Sequence, residues 1–100
     1  MENLQCIKYS AGQEFKTHYD ADKDFLRTHT LLFYLNDDYE GGGTFFPEID
    51  FVVKPKRGSC LLFLNLDNNL DVLPHSSHSG MPVHSGIKYI CNLWVRNKPL

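Results

Sequence analysis

The sequence predicts a small all-β domain, a sandwich or barrel of short strands, and three observations carry that expectation. Turn signals recur along the chain at Ala11-Gly12, Asn36-Asp37-Asp38, Gly41-Gly42-Gly43, Pro55-Lys56-Arg57-Gly58, Asp67-Asn68-Asn69, Gly80-Met81-Pro82 and Ser85-Gly86. The pieces between them are rich in β-branched, Leu and aromatic residues. No stretch holds a helical apolar period beyond one turn near Ala21 to Arg27. Many short strands with regular turns are what sandwiches and barrels require.

In chain order, Thr28 to Leu35, Phe51 to Val53, Ser59 to Leu66 and Ile87 to Arg96 read as strands. The last alternates well. Tyr89, Cys91, Leu93 and Val95 share one face, and Lys88, Ile90, Asn92, Trp94 and Arg96 share the other. The three consecutive glycines read as a turn, since neither a helix nor a Lys-Ser/Thr pair follows to make a phosphate cradle. No repeat, linker or low-complexity tract interrupts the chain, so residues 1–100 are expected to form a single domain.

Composition narrows the function classes. Apolar residues are 42% of 100, enough for a core but a small one. Aromatic residues are 13%, which favours strands. The formal net charge of −2 comes with no basic patch, so neither nucleic acid nor an anionic membrane surface is an expected partner. No apolar run approaches the ~20 residues of a spanning helix. Met1-Glu2-Asn3-Leu4 has no charged-then-apolar signal pattern, which points to a cytoplasmic protein. Cys6, Cys60 and Cys91 are odd in number, far apart, and each set in an apolar run. They read as three reduced, buried thiols in a reducing compartment.

The chemistry begins at His18-Tyr19-Asp20. Residues two apart on an extended segment point to the same side, so one imidazole and one carboxylate can face one point. A third ligand is open among His75, His78 and His84, while His29 falls within a strand-like run. Two His and one carboxylate with open positions form the facial arrangement of non-haem Fe(II) oxygenases. The cysteine spacing excludes an all-sulfur site, and a closed structural zinc site would need a fourth ligand.

Around this pair the sequence resembles the prolyl 4-hydroxylase family of Fe(II)- and 2-oxoglutarate-dependent dioxygenases. The segment from Tyr9 to Asp20 resembles the family's opening, with a Tyr nine residues ahead of the His-x-Asp. Arg27-Thr28-His29-Thr30 through Tyr34-Leu35-Asn36-Asp37 resembles its next long strand and turn. Gly41 to Pro47 is similar to its Gly-Gly-x-Thr-x-Phe-Pro segment, and Pro55 to Ser59 to its Pro-Lys-x-Gly turn. His78-Ser79-Gly80, Pro82-Val83, Gly86 and Lys88 resemble its distal cluster, and Asn92 to Arg96 its closing strand. The resemblance runs over nearly the whole chain in the right order.

The resemblance implies a double-stranded β-helix, or jelly roll, with little or no helical support. It selects His78, ten residues before Lys88, over His75 and His84, which are left as exposed loop residues. It implies that His18, Asp20 and His78 bind Fe(II). Lys88 and Tyr9 would hold the far carboxylate of 2-oxoglutarate, with O2 as co-substrate and ascorbate as an accompanying reductant. Lys88 could instead be a solvated strand lysine. The face it shares with Trp94 favours the inward reading, and an inward Lys needs a buried anion. Thr30 and Tyr34 share a strand face and are read either as hydroxyl contacts to the cosubstrate or as packing. Trp94 is read either as a site residue or as plain core. The implied reaction hydroxylates a prolyl residue of a peptide or protein with release of succinate and CO2. The alternatives are another side chain, a free amino acid or a nucleobase as substrate, or a non-catalytic binding module. The family carries helices and a further strand ahead of the position of Tyr9, where this chain has eight residues. One edge or face of the major sheet should then lack its cover, which predicts a homo-oligomer or reliance on an N-terminal segment.

Overall fold

The computed structural model describes residues 1–97, and positions 98–100 lie outside the described residues. Ten strands follow in order: β1 Gln5–Tyr9, β2 Phe15–His18, β3 Arg27–Tyr34, β4 Glu40–Gly41, β5 Thr44–Phe46, β6 Phe51–Val53, β7 Cys60–Leu64, β8 His78–Gly80, β9 Val83–Ser85 and β10 Lys88–Arg96. They form two four-stranded sheets, ordered β1-β10-β3-β7 and β2-β8-β5-β6, and a small β4-β9 ribbon. All recorded pairings are antiparallel. This is the jelly roll implied above. The only helical turns among the described residues are 3-10 turns at Pro47–Ile49 and Pro74–Ser76, each opened by a proline whose fixed φ suits a first helical position.

The alternation expected in β10 orders the interior. Tyr9 pairs with Lys88, Ile7 with Ile90 and Gln5 with Asn92. On the other side Ile90 pairs with Tyr34, Asn92 with Leu32 and Trp94 with Thr30. These residues therefore share the inner face of the larger sheet. Leu32, Tyr34 and Ile90 are its buried core, supported by Ile7, Tyr9, Val53 and Leu61. The core is small, and it leaves room inside the roll.

The stretch from Ala21 to Arg27 does not make a helical turn. Asp22 Oδ1 accepts the backbone N–H groups of Asp24 and Phe25, both at 2.8 Å, and so bends the chain locally. A short aspartate turn competes well with a helix too short to nucleate.

The cysteines are not three buried thiols. Cys6 and Cys91 fall opposite each other in the β1–β10 register, with Cα atoms 4.1 Å apart, and are disulfide-bonded. Cys60 is free and exposed. Strand register brought together two residues 85 apart in sequence, which spacing alone could not reveal. The inference of a reducing compartment loses its basis. Removing a native disulfide from a small domain typically costs about 2–5 kcal/mol. Cys6→Ser is expected to lower unfolding stability by about that much, and dithiothreitol should bring wild type to the same value. Urea unfolding curves that coincide for oxidised wild type and Cys6→Ser would refute the pairing.

The outer face of the larger sheet stays largely bare. Leu62 and Leu64 on β7 are 59% and 51% exposed, and β7 ends the sheet. Leu31 pairs with both Leu62 and Leu93, so this apolar surface continues across three strands. No helix among the described residues is long and apolar enough to cross a membrane.

Candidate active site

Antiparallel pairing of β2 with β8 sets His18 directly opposite His78. Asp20 follows two residues after His18, at a bend just past the end of β2, and its carboxylate comes to the same side. One ligand atom from each of the three residues lies within 4.8 Å of the others. His18 Nε2 is 3.2 Å and His78 Nε2 3.4 Å from Asp20 Oδ1. His75 and His84 are exposed and outside this cluster.

The second nitrogen of each ring is tied down in the same manner. His18 Nδ1–H donates to the Lys16 carbonyl at 2.6 Å, and His78 Nδ1–H donates to the Ser76 carbonyl at 2.7 Å. With Nδ1 held by a carbonyl, each Nε2 faces Asp20, as a lone pair when the ring is neutral and as a donor to the carboxylate when it is protonated. Burial pushes the Asp20 carboxyl up, but hydrogen bonds with His18, His78 and Thr30 outweigh it and hold the group well below the usual carboxylate range. Burial likewise pulls the His18 imidazole down, while Asp20 and the Lys16 carbonyl more than reverse that. Two Nε2 atoms and a carboxylate oxygen converge on one point, and a cation there would take a lone pair from each. Two imidazoles and one carboxylate are the donor set that suits Fe(II).

The support around the triad is partly new. Thr30 Oγ1 donates to Asp20 Oδ2 at 2.7 Å and accepts from Asn65 Nδ2 at 2.8 Å. Thr30 thus orients the carboxylate, in the way outer partners fix metal ligands. Phe15 packs on the His18 ring at 4.0 Å, and Phe63 on His78 at 4.8 Å.

Beside the triad lies a cavity of about 450 Å³, lined among others by Tyr9, Thr44, Lys88, Ile90 and Trp94. Lys88 is 2% exposed, and no carboxylate lies within ion-pair distance of it among the described residues. Its Nζ sits 5.0 Å from the Tyr9 ring centroid, across the β1–β10 register. Burial pulls the ammonium down from 10.5 to about 8. Gly42 adopts a φ of +70°, and a Cβ there would fall 3.2 Å from Lys88 Cδ. The central glycine of the triple run therefore makes a turn and leaves space for the lysine stem.

Of the other expected residues, Trp94 lines the cavity, with Nε1 buried and unpartnered among the described residues. Tyr34 is buried behind the wall, its hydroxyl 2.5 Å from Thr44 Oγ1. Thr44 and Asn65 were not singled out from the sequence. Thr44 stood within a quoted motif, and Asn65 was the polar residue in an apolar run.

A model of the 2OG-Fe(II) oxygenase superfamily matches residues 4–96. The chain belongs to that superfamily. Within this oxygenase family the chain is 37% identical to an Acanthamoeba polyphaga mimivirus protein provisionally named a prolyl 4-hydroxylase, an alignment that covers 97% of this chain and 46% of that protein. It is 31% identical to prolyl 4-hydroxylase 2 of Arabidopsis thaliana over 94% of this chain and 41% of that one. Among solved structures it superimposes with a TM-score of 0.90 and 34% identity on a viral collagen prolyl hydroxylase of Paramecium Bursaria Chlorella virus-1, in complex with 2OG, covering 98% of this chain and 60% of that one. The oxygenase chain thus spans about half the length of the curated relatives it matches.

Proposed function

We propose that this chain is the catalytic part of an Fe(II)- and 2-oxoglutarate-dependent dioxygenase that hydroxylates prolyl residues in a peptide or protein. The observation that carries the reading is the convergence of His18, Asp20 and His78 beside a buried lysine that has no anion among the described residues. The 34% identity to a viral collagen prolyl hydroxylase supports proline as the target. His18, Asp20 and His78 would hold the iron, and Lys88 with Tyr9 would hold the far carboxylate of 2-oxoglutarate. Together iron and cosubstrate supply the oxidation: 2-oxoglutarate and O2 give succinate and CO2, and the second oxygen atom enters a C–H bond as hydroxyl. Thr30 keeps Asp20 aimed at the metal position, and Phe15 and Phe63 wall the imidazoles with apolar rings. Ascorbate would serve as reductant. Succinate release measured with and without a proline-rich peptide tests the proposal. Release stimulated by the peptide, with a hydroxyproline product, is expected; release unchanged by it would remove proline as substrate.

Lys88 gives the reaction a pH dependence. The free protein keeps the ammonium below about pH 8 and loses it above. A bound carboxylate favours the charged form, so binding takes up a proton above pH 8. Affinity for 2-oxoglutarate should therefore be greatest below pH 8 and fall by up to about tenfold per pH unit above it. Titrations under nitrogen from pH 7 to 9.5 measure this, and a flat profile would detach Lys88 from the cosubstrate.

The same proposal includes self-association through the bare face that carries Leu62 and Leu64. Light scattering should show apparent mass rising with concentration, and Leu62→Lys with Leu64→Lys should abolish the rise. A monomer at high concentration would refute it.

A further inference from the structure

Glu2 lies ahead of β1, and two arginines hold its carboxylate. Arg27 donates from Nε to Oε2 at 2.7 Å and from Nη2 to Oε1 at 3.0 Å. Arg96 donates from Nε to the same Oε2 at 2.8 Å. The fork of Arg27 matches the two oxygens of a carboxylate, the geometry of specific acid recognition.

Both guanidiniums have contacts independent of Glu2. Arg27 stacks 4.1 Å from the Trp94 ring centroid and 5.1 Å from that of Phe25, and its Nη1 donates to the Asp20 carbonyl at 3.2 Å. Arg96 lies 5.4 Å from the Phe25 centroid. The Glu2 side chain is 13% exposed, while the segment that carries it is open: the Glu2 backbone N–H donates to the Trp94 carbonyl at 2.9 Å, and Met1 and Leu4 are 65% and 54% exposed. Arg27 and Trp94 both line the cavity, and Arg96 joins Arg27 there through the shared Glu2 carboxylate. One carboxylate against two guanidiniums leaves a net positive charge there.

We propose that Arg27 and Arg96 form a carboxylate-binding subsite that Glu2 fills in cis, and that its ligand in trans is an Asp or Glu side chain of the peptide substrate. The peptide class rests on the prolyl reading above. Exchange of Glu2 for a substrate carboxylate replaces one ion pair by another, and the arginines remain in place on Trp94 and Phe25. Glu2 then acts as a tethered competitor with an effective concentration in the millimolar range. It would screen out peptides lacking a well-placed acid.

The test uses blocked proline peptides carrying one Glu, or its Gln isostere, at successive positions around the proline. Binding to the Mn(II)- and 2-oxoglutarate-loaded protein under nitrogen is read from Trp94, the single tryptophan of the chain. At one position the Glu peptide should bind about tenfold more tightly than its Gln twin, with the gap shrinking as salt rises. Glu2→Gln should tighten the Glu peptide about tenfold further and leave the Gln twin unchanged. Arg96→Gln should narrow the gap several-fold and leave what the Arg27 fork holds by itself. Equal affinities for every Glu and Gln pair in wild type overturn the proposal, so it stays decidable if Glu2→Gln does not fold. A failure of the prolyl reading would look different: no peptide would stimulate succinate release, while the Glu–Gln gap in binding persisted.

Discussion

His78→Ala is expected to abolish metal-dependent turnover, and so are His18→Ala and Asp20→Ala, whereas His75→Ala and His84→Ala should leave most of it. The expectation follows from geometry. Only His18, Asp20 and His78 bring ligand atoms within 4.8 Å of one another among the described residues, and His75 and His84 are exposed. Removing any one leaves two ligands and an incomplete facial set. The loss should exceed the ~10–100-fold that an outer partner typically costs in metal affinity or activity. Thr30→Val gives that smaller figure its own test, since it removes the donor to Asp20 Oδ2 and keeps the shape. Mn(II) binding followed by electron paramagnetic resonance separates metal loss from loss of turnover. If His75→Ala lost the metal and His78→Ala kept it, the assignment would be wrong.

Lys88→Ala should leave metal affinity nearly intact and raise the 2-oxoglutarate requirement steeply. The ammonium is 2% exposed and has no protein anion among the described residues. A lost charge-assisted contact at a buried site is worth on the order of 2–4 kcal/mol, or roughly thirty- to a thousand-fold in affinity. Lys88→Arg should recover only part of it. The guanidinium is longer and planar, and the lysine stem is packed close to Gly42, with a Cβ at Gly80 set to fall 3.7 Å from Nζ. Titration of 2-oxoglutarate into Mn(II)-loaded protein under nitrogen compares wild type with both variants. Equal affinity in wild type and Lys88→Ala would remove Lys88 from the site. Absence of binding in wild type would favour a non-catalytic module.

What the sequence determined by itself was whatever depends on local geometry. The two-residue period of extended chain led to His18 and Asp20 on one side, where the structure has them, although a bend at Asp20 completes the turn. It also put Lys88, Ile90, Asn92 and Trp94 on one face of β10, where four of the cavity's lining residues are found. Glycine and aspartate turns bounded β3, β6, β7 and β10 close to where they are observed, while the other six strands went unread, and the family motifs pointed to His78. The tertiary structure decided what depends on register between distant strands. The β2–β8 pairing brings His78 to His18, and the β1–β10 pairing joins Cys6 to Cys91 and Tyr9 to Lys88. Asn65 reaches Thr30 across 35 residues, and Glu2 reaches Arg96 across 94. A period of two states which face a residue occupies, yet it is unchanged when one strand slides two residues past another, so the partner across the gap is set by the packing of the whole roll.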